Sequence, residues 1–329
     1  MKNEAWAGKK VMITGGLGFI GSNLAHRLVE LGADVLLVDA MVPGFGGNYF
    51  NIQDIIDKVK INYCDTRDHY SMKCLVRDKE VIFHLAGSFN HIRTVNDPWT
   101  DLEINCRGSL SLLEACRNQN PDVKVIYAGH RGQYGRVEKT PINEEQVCHP
   151  LQINAVNIMA AEHYHILYNN VHEIKTACLR LTNTYGPRHQ MQHFEQGVIN
   201  WFIHLVLENR VVPLFGDGTQ VRDLSYVDDV VEALLLAALS DETNGQVYNL
   251  GGEPTSLLDL AKLLIEITGK GGYNLMEYPD QYKLFEVGDY IADYSKIKQS
   301  LGWEPKVSLR EGMSRTLDFY TKYRKHYWT

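Results

Sequence analysis

A doubly wound parallel α/β sheet carrying a smaller C-terminal α/β substrate domain is what this sequence predicts, and three observations predict it. Short apolar runs rich in β-branched residues recur at 11–14, 35–39, 59–64, 81–85, 123–128 and 174–181, the length of buried strands. Helix-period segments lie between them, notably 101–118 and 153–169, giving the alternation from which parallel sheets are built. The first run stops abruptly in glycines, Gly15-Gly16-Leu17-Gly18-Phe19-Ile20-Gly21, and an amphipathic stretch at 22–31 follows.

The elements follow in order. The glycines mark a strand-to-helix turn built to take a diphosphate, because phosphate can rest on the N–H groups of a helix start only where no side chain covers the backbone. Gly15 and Gly16 are expected to make the turn, Gly18 to allow close approach and Gly21 to let the helix pack on the strand. The second strand ends in Asp39, about 20 residues beyond the glycines, where a ribose hydroxyl is expected. A carboxylate there repels a 2′-phosphate and no arginine follows closely, so NAD is favoured over NADP. Past residue 181 the alternation loosens, and Pro187, Pro213, Gly216, Gly218, Pro254, Pro279 and Pro305 punctuate shorter elements. One more strand-like run, 247–250, returns to the sheet. The expected division is a Rossmann-type NAD-binding domain at 1–182 with a return segment at about 223–250, and a second domain at 183–222 and 251–329 packed over the carboxyl ends of the strands. The helices at 101–118 and 153–169 carry apolar residues on more than one face, which suits either a homodimer interface or burial in the core.

Composition excludes several function classes. The net charge of −7 is spread along 329 residues without a basic block, so nucleic acid is not an expected partner. No apolar run approaches the roughly 18 residues of a membrane span and residues 1–10 lack the apolar centre of a signal peptide, so a cytoplasmic protein is expected. Cys64, Cys74, Cys106, Cys116, Cys148 and Cys178 are scattered with no C-x-x-C pair and read as reduced core thiols, with no metal expected.

Further motifs follow the fingerprint in a set order. Cys64-Asp65-Thr66-Arg67-Asp68 follows the third strand, His84-Leu85-Ala86-Gly87 ends the fourth, and Asn105-Cys106-Arg107-Gly108 opens a long helical stretch. Asn183-Thr184-Tyr185-Gly186-Pro187-Arg188, Gly216-Asp217-Gly218, the stretch from Val221-Arg222 to Asp229, Tyr248-Asn249-Leu250-Gly251-Gly252 and Leu301-Gly302-Trp303-Glu304-Pro305 complete the series. In this order the chain, from about residue 9 to about 312, resembles the extended short-chain dehydrogenase/reductases, specifically the NAD-dependent nucleotide-sugar epimerase/dehydratase family. The resemblance implies that Gly15, Gly18, Phe19, Ile20 and Gly21 hold the pyrophosphate of NAD, Asp39 its ribose, and Asp65 and Thr66 its adenine. Leu85, Ala86 and Gly87 would line the cofactor cleft, and Asn183, Arg188, Arg222 and Asp289 would face the nucleotide-sugar; for Arg222 a salt bridge to Asp223 or Asp229 is the alternative.

The chain departs from this family's pattern where the chemistry is done. The pattern calls for Ser or Thr after the fifth strand and Tyr-x-x-x-Lys on the next helix, the Tyr taking a hydroxyl proton and the Lys holding the nicotinamide ribose. Here His130 stands in the Ser/Thr position, Asn154 in the Tyr position and Ile158 in the Lys position, and Glu286 replaces an expected substrate-binding arginine. Asn cannot act as a general base and Ile cannot bond a ribose. His130 has the chemistry to replace the base, since an ordinary imidazole titrates near neutrality. His91 and His189 lie in segments that could border the sugar. The expectation is an NAD-dependent epimerase- or dehydratase-like enzyme on a nucleotide-sugar with a non-standard site; the alternative is a protein that binds both ligands without turnover.

Overall fold

The computed structural model describes residues 3–89, 91–191, 197–277 and 287–328. The strands are β1 (Lys10–Thr14), β2 (Asp34–Val38), β3 (Val59–Asn62), β4 (Val81–His84), β5 (Lys124–His130), β6 (Thr176–Leu181), β7 (Asn183–Tyr185), β8 (Val211–Phe215), β9 (Val221–Tyr226), β10 (Gln246–Asn249), β11 (Glu253–Ser256) and β12 (Gly272–Met276). The helices are α1 (Phe19–Glu30), α2 (His69–Leu75), α3 (His91–Asn96), α4 (Pro98–Leu102), α5 (Gly108–Gln119), α6 (Ile153–His172), α7 (Val198–Leu207), α8 (Val227–Leu239), α9 (Leu257–Thr268), α10 (Ser295–Leu301) and α11 (Leu309–Tyr323).

Seven strands form one sheet in the order β10-β6-β5-β4-β1-β2-β3, and every pair in it is parallel. Val11, Met12 and Ile13 of β1, and Ile82 and Phe83 of β4, are fully buried, as strands covered by helices on both faces must be. The order reverses between β1 and β4, which opens a crevice at their carboxyl ends. A second layer holds β11-β9-β7, with β9 antiparallel to β11 and parallel to β7, and the parallel pair β12-β8. No described helix is long and apolar enough to cross a membrane.

All seven expected sheet strands are present, with shifted ends. β5 runs on to His130 because its backbone register with β6 continues to Leu181. β6 starts late because α6 ends in a left-handed Glu173 (φ 59°), and the Ile174 N–H turns back to the Tyr168 carbonyl at 3.2 Å. The expected helix at 101–118 is broken: α4 passes through a π-turn at Glu103–Arg107 before α5 begins. In this turn the Asn105 side chain pairs with the backbone of Ser88, accepting from its N–H (2.9 Å) and donating to its carbonyl (3.1 Å). Gly108 then passes over Thr66, whose hydroxyl would lie 2.7 Å from a Cβ there. Not every cysteine is a core thiol: Cys106, Cys116 and Cys178 are buried, but Cys74 is exposed.

Candidate active site

The glycine turn divides its labour differently from the expectation. Gly15 alone takes a left-handed φ, 69°, and a Cβ there would lie 2.9 Å from the Ala86 nitrogen, so β4 can close on the turn only over glycine. Gly16 is not in the left-handed region; it is a packing position, where a Cβ would meet Leu37 at 2.8 Å. At Gly21 a Cβ would overlap the Gly15 carbonyl, so the first turn of α1 can seat on the loop. Gly18 is the N-cap, with no side chain across the helix start. Thr14 ties the two strand ends together, its hydroxyl meeting His84 Nδ1 (2.8 Å) and the Ala86 N–H (3.1 Å).

Gly15, Gly18, Phe19, Ile20, Gly21, Asp39, Asp65, Thr66, Leu85, Ala86 and Gly87 all line one cleft at this crevice. The Asp39 carboxylate accepts from the N–H groups of Leu17 (3.0 Å) and Met41 (2.9 Å), while burial raises its pKa above the ordinary value. Burial also opposes ionisation of Asp65, but the paired bonds from Arg67 Nε (2.9 Å) and Nη2 (2.6 Å) outweigh it and hold the pKa low. A bare-backbone helix start, a carboxylate at the end of the second strand and a walled slot between them fit the dinucleotide NAD.

A second cleft joins the first. Phe89, His130, Leu181, Thr182, Thr184 and His189 line both, while Arg131, Gln152, Asn183, Asn200, Arg222 and Val287 line the second alone. Arg131 donates from Nε to Asn183 Oδ1 (2.9 Å), and its guanidinium lies 5.2 Å from the Tyr290 ring centre. Arg222 is buried and donates from Nη1 to the carbonyls of Val221 (3.1 Å) and Gly288 (2.8 Å). His189 borders the junction with its Nδ1 at 2.8 Å from the Gln190 carbonyl. The His91 side chain and Glu286 fall outside the described residues.

Two residues expected to face a nucleotide-sugar do not line this cleft. Arg188, at φ 74°, turns back to α1, donates from Nη1 to Asn23 Oδ1 (2.7 Å) and lies over Phe319 at 5.8 Å. It links α11 to α1. Asp289 is exposed and accepts the Val221 N–H at 2.8 Å, bracing the strand that carries Arg222. Arg131, Thr182 and Thr184 stand in the cleft without having been singled out in the sequence. Thr184 lies within the Asn183–Arg188 motif, and Arg131 and Thr182 only beside His130 and Asn183.

At the junction, His130 ends β5 and caps the short 3-10 turn Arg131–Tyr134, its Nδ1 accepting the Gly132 N–H at 2.8 Å. Its Nε2 lies 3.0 Å from Asn154 Oδ1. A neutral ring with Nδ1 accepting and Nε2 donating offers no spare lone pair, so His130 as placed is not the ready general base that its position suggested. Asn154 is fully buried and donates from Nδ2 to the Ser88 carbonyl (2.5 Å) and to Asp101 Oδ2 (2.9 Å). Ile158 is also fully buried and packs with Tyr127, Ala161 and Cys178. Neither Asn154 nor Ile158 lines a cleft wall. Among the described residues no group of His, Cys, Asp and Glu is arranged to hold a metal ion.

Comparison with known proteins places this geometry. A sequence model described as the NAD dependent epimerase/dehydratase family matches residues 11–251. A UDP-glucose 4-epimerase of Mycolicibacterium smegmatis is 32% identical over 314 residues, covering 94% of this chain and 98% of that protein. The crystal structure of a Thermotoga maritima UDP-glucose 4-epimerase with UDP-glucose superposes with a TM-score of 0.85 at 34% identity, over 96% of this chain and 99% of that one. That of a Thermus thermophilus UDP-glucose 4-epimerase in complex with NAD gives 0.84 at 31%, over 95% and 99%. With the family model matching residues 11–251 and the glycine turn and Asp39 lining one cleft, the chain belongs to the NAD-dependent epimerase/dehydratase family of enzymes.

Proposed function

We propose that the protein holds NAD and a nucleotide-sugar in the two joined clefts and carries out the family's redox chemistry on the sugar with His130, in place of a Tyr–Lys pair, as its proton-handling group. The observation that carries this reading is the junction itself: His130 is a wall of both clefts, where cofactor and sugar would meet. NAD supplies hydride acceptance and return when bound. The chain's residues do the rest. The Gly15–Gly21 turn seats the diphosphate and Asp39 the ribose. Arg131, Asn183 and Arg222 offer guanidinium and amide donors suited to a second diphosphate. Residues 1–182 with 223–250 would serve the cofactor and 183–222 with 251–329 the sugar nucleotide, Arg131 and Gln152 reaching across from the first.

For His130 to accept a hydroxyl proton, its Nδ1 must exchange the Gly132 N–H for the substrate hydroxyl. Reduced-nicotinamide absorbance with UDP-glucose and other nucleotide-sugars tests this. The signal should appear with the wild type and fall at least about a hundredfold in His130→Ser, the usual scale for losing a general base. Serine keeps an N-cap acceptor and so protects the turn. Turnover untouched by His130→Ser overturns the assignment.

The same lock on Nδ1, with Ile158 buried, favours a second reading: binding of both ligands without turnover. It predicts calorimetric binding of NAD and UDP-glucose with no absorbance change for any nucleotide-sugar tried.

A further inference from the structure

Beneath His130 lies a chain of polar groups that adds to the Gly132 N–H in setting the direction of the ring's hydrogen bonds. Asp101, on α4, is 1% exposed. Its Oδ1 accepts from the Nδ2 of Asn157 (2.7 Å) and of Asn105 (3.1 Å), and its Oδ2 from the Nδ2 of Asn154 (2.9 Å). These three neighbours are amide donors, so the form they satisfy is the ionised carboxylate, which can only accept.

That acceptor-only end fixes the next link. Asn154 meets two acceptors on one side, Asp101 Oδ2 and the Ser88 carbonyl, so its amide nitrogen must face them and its oxygen must face His130. The reversed amide would set its oxygen against a carboxylate oxygen and a carbonyl in a buried site, taking from Asp101 Oδ2 the donor it has in Asn154 and leaving the Ser88 carbonyl only the Asn105 amide. An oxygen facing His130 Nε2 at 3.0 Å requires that nitrogen to carry the proton. The neutral ring then has its lone pair on Nδ1, where the Gly132 N–H meets it at 2.8 Å.

We infer that Asp101 is a positioning residue which, acting through Asn154, reinforces the Gly132 N–H in holding His130 as the Nε2–H tautomer, with Nδ1 the nitrogen able to receive a proton. Asn154 is the link in this chain, and its occupation of the Tyr position leaves no space there for a second acid–base group. A proton arriving at Nδ1 gives an imidazolium whose Nε2–H still points along Asn154 toward the Asp101 anion. The catalytic meaning of this tautomer rests on the function proposed above; the tautomer itself does not.

Nitrogen–proton correlation spectra of the whole protein, with isotope-labelled histidine and no substrate, test the assignment. His130 is identified by the signal that disappears in His130→Ser. The wild-type ring should show the Nε2–H form. In Asp101→Asn the carboxylate is gone and the Asn154 amide loses one of its two orienting acceptors, so the ratio of tautomers should move about tenfold toward Nδ1–H, the change that 1.4 kcal/mol gives. Asn154→Leu cuts the chain with Asp101 intact and should produce the same shift, and it serves if Asp101→Asn does not fold. A merely structural Asp101 would lower Tm and leave the tautomer where it was. A wild-type ring in the Nδ1–H form, or a folded Asp101→Asn or Asn154→Leu protein whose tautomer ratio matches that of the wild type, overturns the inference. Absence of turnover with every nucleotide-sugar would leave these spectra unchanged, so the two proposals fail separately.

Discussion

Asp39 shows how much one side chain can decide. Its carboxylate already binds the turn through the N–H groups of Leu17 and Met41, and it lies in the cleft that would take the adenosine ribose. Asp39→Asn removes the charge and exchanges one accepting oxygen for a donor. Hydrogen bonds to charged groups contribute about 1.5–3 kcal/mol, so NAD affinity should fall about 10- to 100-fold while NADP binding falls less. Calorimetry with both dinucleotides measures this, and an unchanged NAD affinity would remove Asp39 from the site. Residues of this kind were legible because their chemistry runs along the chain: a glycine needed at a tight turn, or an acid at a strand end, shows in a window of a few residues. Arg188 was not legible in that way. Its place in the Asn183–Arg188 motif says nothing of direction, and its left-handed backbone turns the guanidinium to Asn23, far along the sequence. Asp101 left no such trace, standing among Asp97, Glu103 and Arg107 where one more charge does not show. Its partners Asn154 and Asn157 are three apart on α6, but nothing in the sequence brings them to it.

Element pairing explains both what could be read and how the fold should respond to acid. The strands were visible because a parallel sheet buries both faces and leaves unbroken apolar runs; the π-turn was not, because it serves a bond between Asn105 and Ser88 that no local pattern encodes. His84 on β4 and His165 on α6, with ring centres 5.7 Å apart, are fully buried, and desolvation pushes them down to about 3 and about 4. They stay neutral in the fold while the unfolded chain protonates them below about pH 6.5, so their contribution is lost as pH falls. Asp223 in β9 works the other way. Burial pushes it up to about 6, although the Gly252 and Ala292 N–H groups bind its oxygens. It is protonated in the fold and ionised in the unfolded chain between about pH 4 and 6, so its contribution is lost as pH rises through that window. Two histidines against one carboxyl leave the unfolded chain binding one more proton there, 2 − 1, for these three groups. Stability should therefore drop about 1.4 kcal/mol per pH unit from them as acid is added between pH 6 and 4. Asp223→Asn removes the opposing group and should steepen the slope by about another 1.4 kcal/mol per unit, measured by urea unfolding across that range. Equal slopes for the two proteins would show that Asp223 ionises normally in the fold.

At the scale of the whole molecule, the surface of α6 raises the question of a second copy. Its inward face carries Asn154, Asn157, Ile158, Glu162 and His165 into the core, so the apolar residues left over have to face outward. Ile153, Val156, Leu167 and Val171 are exposed, and their spacing puts them on one side of the helix; Trp99 and Leu102 are exposed on α4, which packs against α6. A helical stripe of this kind is self-complementary when two copies meet about a twofold axis, and burying it in a homodimer removes apolar surface from water at about 25 cal/mol per Å2. The active site should not depend on the contact, because the residues lining both clefts come from the carboxyl end of the sheet and the layer above it. The protein should sediment as a dimer at micromolar concentration. Val156→Asp with Leu167→Glu, which put like charges on facing helices, should convert it to a monomer that keeps its NAD affinity within about threefold, a change below 1 kcal/mol. A wild type that sediments as a monomer, or a double variant that stays dimeric, would place the contact elsewhere; a monomer that loses NAD would mean that the outer face of α6 supports the cofactor cleft, which the placement of its inward side chains argues against.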